Sequence, residues 1–158
     1  MAYQKLQAYR ALKVYKTSAI EAYPDPARMA TFGANTSVTA NKLVATGGDF
    51  ITNKIKPGYI VANTTAGSYA IIEAVDSATT LSLSVDIFTA TPEKYRIYSQ
   101  LAKEPCLLYV GTAGTVDVDT AGGDTQIDFL NVGNATFLPI QVKRVNAAST
   151  ASNFIALW

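Results

Sequence analysis

From Thr36 onward the apolar residues of this chain recur at every second position, in short runs broken by Gly, Pro, Asn and Asp. Leu81, Leu83 and Val85 alternate with Ser82, Ser84 and Asp86. Val116 and Val118 alternate with Asp117 and Asp119, and Leu138, Ile140 and Val142 bracket Gln141 and Lys143. Two is the side-chain period of a β-strand, and it denies a helix any continuous apolar stripe. Breaks fall at Gly47-Gly48, Pro57-Gly58, Ala66-Gly67, Asp76-Ser77, Thr91-Pro92, Gly122-Gly123 and Gly133-Asn134. The pattern predicts strands near 42–45, 59–62, 69–75, 81–85, 94–98, 107–110, 116–119, 127–130, 138–142 and 154–158. Short strands separated by turn residues at this spacing predict an all-β fold, an antiparallel β-sandwich or barrel.

The N-terminal stretch reads differently. Leu6, Tyr9 and Leu12 fit a helical stripe, so a short helix is expected over 4–12 and strand or extended chain over 13–23. Tyr23-Pro24-Asp25-Pro26 forces extended or turn geometry. Formal charge is +3 over 1–30, zero over 31–105 and −2 over 106–158. The expected organisation is an N-terminal arm (1–30), a first β unit (31–104) and a second β unit (105–158), the two units packed as one body. Four tyrosines (Tyr3, Tyr9, Tyr15 and Tyr23) lie in the basic arm, and Tyr and Arg are enriched at protein interfaces. An apolar strand runs to Trp158. Candidate interface residues are therefore Leu6, Tyr9, Arg10, Leu12, Tyr15, Tyr23, Phe154 and Trp158. Docking of the arm on another subunit is set against its folding back onto its own sheet.

Composition bears mainly on chemistry. The sequence has no His and a single Cys, Cys106. A Ser-His-Asp or Cys-His triad and a His-containing zinc site are thereby excluded, as are an intramolecular disulfide and an iron–sulfur cluster within one chain. No apolar run reaches the ~18–20 residues of a membrane helix. The start Met1-Ala2-Tyr3-Gln4-Lys5 lacks the apolar core of a signal peptide, so synthesis in the cytoplasm is expected. A net charge of +1 gives no electrostatic footprint for nucleic acid. Charged residues make up 16% of the chain, below the ~25% of an average protein, which leaves much surface to Thr, Ser, Asn, Ala and Gly or to a partner.

Few constellations suggest chemistry. Asp117, Asp119, Asp124 and Asp128 are the weak candidates for a metal site, of the calcium type. Their alternation with Val116, Val118, Ile127 and Phe129 favours the solvent face of a hairpin instead, so no metal is expected. Gly111-Thr112-Ala113-Gly114 lacks the Gly-Lys-Ser/Thr ending of a phosphate loop. Glu73, Glu93 and Glu104 fit no hydrolase motif, and Cys106 beside Leu107 and Leu108 reads as a small buried hydrophobe. No catalytic residue and no cofactor are expected. A carbohydrate-binding surface would need Tyr59, Tyr69, Tyr95 and Trp158 to face outward together.

Several phrases carry a resemblance. The segment Tyr3-Gln4-Lys5-Leu6-Gln7-Ala8-Tyr9-Arg10-Ala11-Leu12-Lys13-Val14 resembles the opening of small virion structural proteins of tailed, notably marine and cyanobacterial, phages. Val75-Asp76-Ser77-Ala78-Thr79-Thr80-Leu81-Ser82-Leu83-Ser84 resembles their central β segment. Leu108-Tyr109-Val110-Gly111-Thr112, Phe137-Leu138-Pro139-Ile140-Gln141-Val142 and Ala151-Ser152-Asn153-Phe154-Ile155-Ala156-Leu157-Trp158 resemble their C-terminal half. In the arm, Tyr15-Lys16-Thr17-Ser18 replaces the family's usual Pro-Ser-Asp-Thr. The resemblance implies a non-enzymatic virion protein on the capsid exterior or in the head–tail region. It would attach to the major capsid protein or another head protein as a cement or decoration protein. A homo-oligomer is expected, a trimer being the favoured form, with no nucleic-acid or membrane partner. A head–tail junction or fibre-base component, or a carbohydrate- or receptor-binding β-sandwich module, is the alternative.

Overall fold

The computed structural model describes residues 8–99 and 105–158 and is all-β and antiparallel. The strands in chain order are β1 (Ala11–Val14), β2 (Met29–Ala34), β3 (Ser37–Thr39), β4 (Lys42–Val44), β5 (Ile60–Asn63), β6 (Ser68–Val75) and β7 (Thr80–Leu83). They continue as β8 (Lys94–Tyr98), β9 (Cys106–Thr112), β10 (Gly114–Thr120), β11 (Ile127–Val132), β12 (Thr136–Val145) and β13 (Ser152–Leu157). The chain divides into two compact units, one of described residues 17–99, the other of residues 8–16 together with Pro105–Trp158.

The unit of 17–99 is one sheet in the order β2-β8-β5-β6-β7-β4-β3. Its end strands β2 and β3 are joined by Asn35 and Thr36 alone. The three Cα–Cα steps from Ala34 to Ser37 span at most ~11 Å, so the sheet curls until its ends meet at that corner, giving a barrel-like layout. Asn35 fixes the corner. Its Nδ2 donates to the carbonyl of Ala90 (2.8 Å), and its Oδ1 accepts from the N–H of Glu93 (2.7 Å). Glu93 is itself buried, and its carboxylate accepts from the N–H groups of Thr89 and Ala90. Inside the curl, alternate residues of the strands pack as a core: Leu43, Val61, Ala70, Ile72, Leu81, Leu83, Tyr95 and Ile97. Phe50, Ile55, Ile87 and Phe88 from the connections fill it. β5 is buried on both faces, and on its other side Tyr69, opposite Ala62, packs its ring 6.1 Å from that of Tyr23.

The unit of 8–16 and 105–158 is a sheet in the order β1-β13-β9-β12-β10-β11. Only Ala113 separates β9 from β10, so the two act as one bent strand. Along one side β11 pairs with β10 and the first part of β12 with β9; along the other lies β13. The end of β12 crosses over, so that Val142 lies opposite both Cys106 and Thr120. The register of β12 shifts between Leu138 and Gln141, around Pro139, which has no N–H to give the ladder. The bend at Gly114 is tight: a Cβ there would sit 2.5 Å from the backbone nitrogen of Ala151.

These placements correct the reading of the N-terminus. Residues 4–7 lie outside the described residues, and 8–14 are not helical. Ala11–Val14 is a strand paired with β13, with Leu12 and Val14 buried and Ala11 and Lys13 exposed. A stripe of one and a half turns is too short to hold a helix in water, and the ladder to β13 supplies the hydrogen bonds instead. Nor do residues 8–30 form a separate arm. The stretch 8–16 completes one sheet, while 17–30 belongs to the other unit, where Met29–Ala34 pairs with β8.

Candidate interaction surfaces

On β1, β13, β9 and β12, one set of alternate residues is buried: Leu12, Val14, Phe154, Ala156, Leu108, Val110, Leu138 and Val142. The opposite face is mixed, with Lys13, Asn153 and Gln141 exposed among apolar residues. Leu107, Tyr109, Ile155 and Leu157 are half-buried there, and Phe137 is 61% exposed. The register aligns Lys13, Ile155, Tyr109 and Phe137 as a row across four strands. The rings of Tyr109 and Phe137 meet edge-on with centroids 5.1 Å apart. An outward row of this kind marks an interaction surface more often than free solvent surface. Sequence reasoning overlooked Leu107, Tyr109 and Phe137. The available signal was the run Cys106-Leu107-Leu108-Tyr109-Val110, apolar at every position, as in a strand covered on both faces.

The predicted interface residues separate into two groups. Leu6 lies outside the described residues, as do Tyr3 and Glu104. Leu12, Tyr23 and Phe154 are buried within their own chain. For Leu12 and Tyr23, folding back onto the chain's own sheets replaces docking on another subunit. Tyr9 is 77% exposed, with the guanidinium of Arg10 4.8 Å from its ring centroid. Tyr15 is half-buried, and the ammonium of Lys13 lies 5.8 Å from its ring. Trp158 is half-buried. Its carbonyl accepts from the N–H groups of Tyr9 (2.7 Å) and Arg10 (3.1 Å), which ties the two ends of the sheet's chain together.

The acidic residues also diverge from expectation. Asp117 and Asp119 are buried, not on a solvent face, because the segment Asn146–Ser149 folds over β10. Asn146 Nδ2 donates to Asp117 Oδ1 and Asp119 Oδ1, both at 2.9 Å. The N–H of Gln126 donates to Asp119 Oδ1 (3.0 Å), and Arg144 Nε donates to its Oδ2 (2.7 Å). Burial alone would raise the Asp119 carboxyl; the hydrogen bonds from Asn146, Gln126 and Arg144 outweigh it and hold the group below the ordinary aspartate value. Asp124 and Asp128 are exposed, and Asp124 accepts from the Thr120 hydroxyl (3.0 Å). Among the described residues no group of three or more His, Cys, Asp or Glu is arranged to hold a metal. Ile127 is exposed rather than paired inward with Val118.

The remaining constellations are structural. Gly111–Gly114 is the bend between β9 and β10. Cys106 is buried with its thiol 3.5 Å from the Val142 carbonyl, and desolvation pushes its pKa up to about 12, far from a reactive thiolate. Tyr69 and Tyr95 are buried, so the aromatic platform that a carbohydrate site would need from them is not assembled. No known family model, curated protein or solved structure matches the chain.

Proposed function

We propose that this protein is a non-enzymatic structural protein of a tailed-phage virion, attached to the capsid exterior as a cement or decoration protein. Its partner would be the major capsid protein or another head protein. The observation that carries the reading is the outward row of Ile155, Tyr109 and Phe137 across three strands, with Leu107 two residues along β9 from Tyr109. Side chains of this kind lose free energy in water and gain it under a partner, at about 25 cal/mol per Å² covered. On a capsid the contact repeats at many sites, so a modest single affinity suffices when subunits are linked.

The test is co-sedimentation of the full-length protein with phage heads that lack it. Wild-type protein should bind, and Phe137→Ser with Leu107→Ser should weaken binding at least about tenfold, the effect of ~1.4 kcal/mol. A folded wild-type protein that ignores heads but binds tail assemblies or glycans would move the reading to a fibre-base or receptor-binding role.

A further inference from the structure

The two end strands of the 105–158 sheet, β1 and β11, differ in charge. Residues 8–16 carry Arg10, Lys13 and Lys16 and no carboxylate, whereas 124–132 carry Asp124 and Asp128 and no cation. Lys16 is engaged with the Ser149 carbonyl (2.7 Å), but Lys13 points outward with its ammonium over Tyr15. Asp128 is exposed, opposite Asp117 in the β10–β11 ladder. Shape adds to charge. Over the β1–β13 pair lies an open groove of about 330 Å³, lined by Ala11 and Lys13 of β1 and by Asn153, Phe154 and Ile155 of β13. On the edge strand β11, Leu130 is 68% exposed, with Ile127 exposed to a lesser degree. Long exposed edges usually carry devices that prevent pairing, such as a lysine or a proline. β1 has Lys13, whose charge repels a second β1 but attracts β11; β11 has Asp128, which does the reverse.

We propose that copies of this chain associate edge to edge through unlike edges, the β11 edge of one copy docking on the β1 edge of the next. Leu130 reaches across β1 into the groove over the β1–β13 pair, and Asp128 faces Lys13. Unlike edges make a heterologous contact, which closes as a ring when the rotation allows and otherwise propagates. The inference deepens the capsid reading, on which it rests only for the purpose such an oligomer would serve. Its test is carried out in solution without capsids.

Sedimentation velocity of the full chain across a concentration series should show reversible association. Lys13→Asp alone and Asp128→Lys alone should each shift the association midpoint upward about tenfold, and the double exchange should restore it. Leu130→Ser should weaken it in the same direction. A chain that stays monomeric over the whole series overturns the proposal. So does association unaffected by either charge reversal, which would place the contact elsewhere. Asp128→Lys strengthening association would mean β11 pairs with another β11, and that also overturns it. A wild-type chain that does not self-associate but binds heads would remove the edge proposal and leave capsid attachment standing; self-association without head binding would do the opposite.

Discussion

The two units use the same strand chemistry and finish their sheets in different ways. In 17–99, Asn35 and Thr36 bring both ends of the sheet to one corner, and the apolar residues of the curl face inward around Phe50 and Phe88. In the other unit β1 and β11 remain as ends of the strand order, and the outer face still carries Leu107, Tyr109 and Phe137. A sheet that curls back on itself buries one face around its own core, yet Met29, Phe32, Val38, Ile51 and Val85 remain exposed in this unit. A sheet left with open ends also keeps edges for a partner. What sets the 105–158 unit apart is the alignment of Ile155, Tyr109 and Phe137 on neighbouring strands, and interaction is therefore expected there.

The largest expected effect is inside the barrel-like unit. Phe50→Ala removes a fully buried ring whose centroid lies 6.1 Å from that of Tyr95. Loss of ~3–5 kcal/mol is expected from transfer and cavity terms together, read as a lowered urea midpoint. Next is the bend of the open unit. Gly114→Ala places a methyl against Ala151 backbone atoms at 2.5 and 2.8 Å, which cannot rotate away. A cost of ~2–3 kcal/mol is expected, of the size typical for backbone strain, while Gly47→Ala, with nothing within 4 Å, should cost far less. Equal effects at the two glycines would deny that the β9–β10 bend is tightly fixed.

A smaller effect has a pH signature. Asp119 is held below its ordinary value in the folded chain, so its contribution to stability is complete above the unfolded value of ~3.9 and is lost as pH falls through the folded one. Asp119→Asn should therefore cost ~1–2 kcal/mol at neutral pH, and the gap to wild type should narrow progressively as the pH falls below the unfolded value. Urea titrations at neutral and acid pH measure it. A gap that stays constant would mean that the Asn146 and Arg144 contacts do not depend on the carboxylate charge.

Much of this fold was legible from period and turns. The expected strands from 42 to 158 coincide with β4 to β13 within a few residues, because alternation and Gly or Asn breaks are local signals. β1, β2 and β3 were not legible. Leu12 and Val14 alternate only across a few residues, and what makes them strand is a ladder to Phe154–Leu157, some 140 positions away in sequence. Asp117 and Asp119 show the same limit. Alternation placed them on the face opposite Val116 and Val118, but only the return of Asn146–Ser149 decides that this face is covered. The candidate site was the least legible part, since an outward apolar residue such as Phe137 looks in sequence like one more core position.

The smallest stability effect separates the two units most sharply. Phe32 on β2 and Phe137 on β12 are exposed to similar degrees, 69% and 61%. Neither fills the core, so each change to Ser should alter stability by under about 1 kcal/mol, Phe137 slightly more because its ring meets Tyr109. Stability therefore cannot distinguish them, but attachment can. Under the proposed capsid attachment, Phe137→Ser should weaken binding to phage heads, because its neighbours Tyr109 and Ile155 extend the patch across the sheet. Phe32 lies opposite Arg96, a charged neighbour on the same ladder, and Phe32→Ser should leave head binding near wild type. Reversed results would move the attachment surface to the barrel-like unit and make the open sheet a structural element alone.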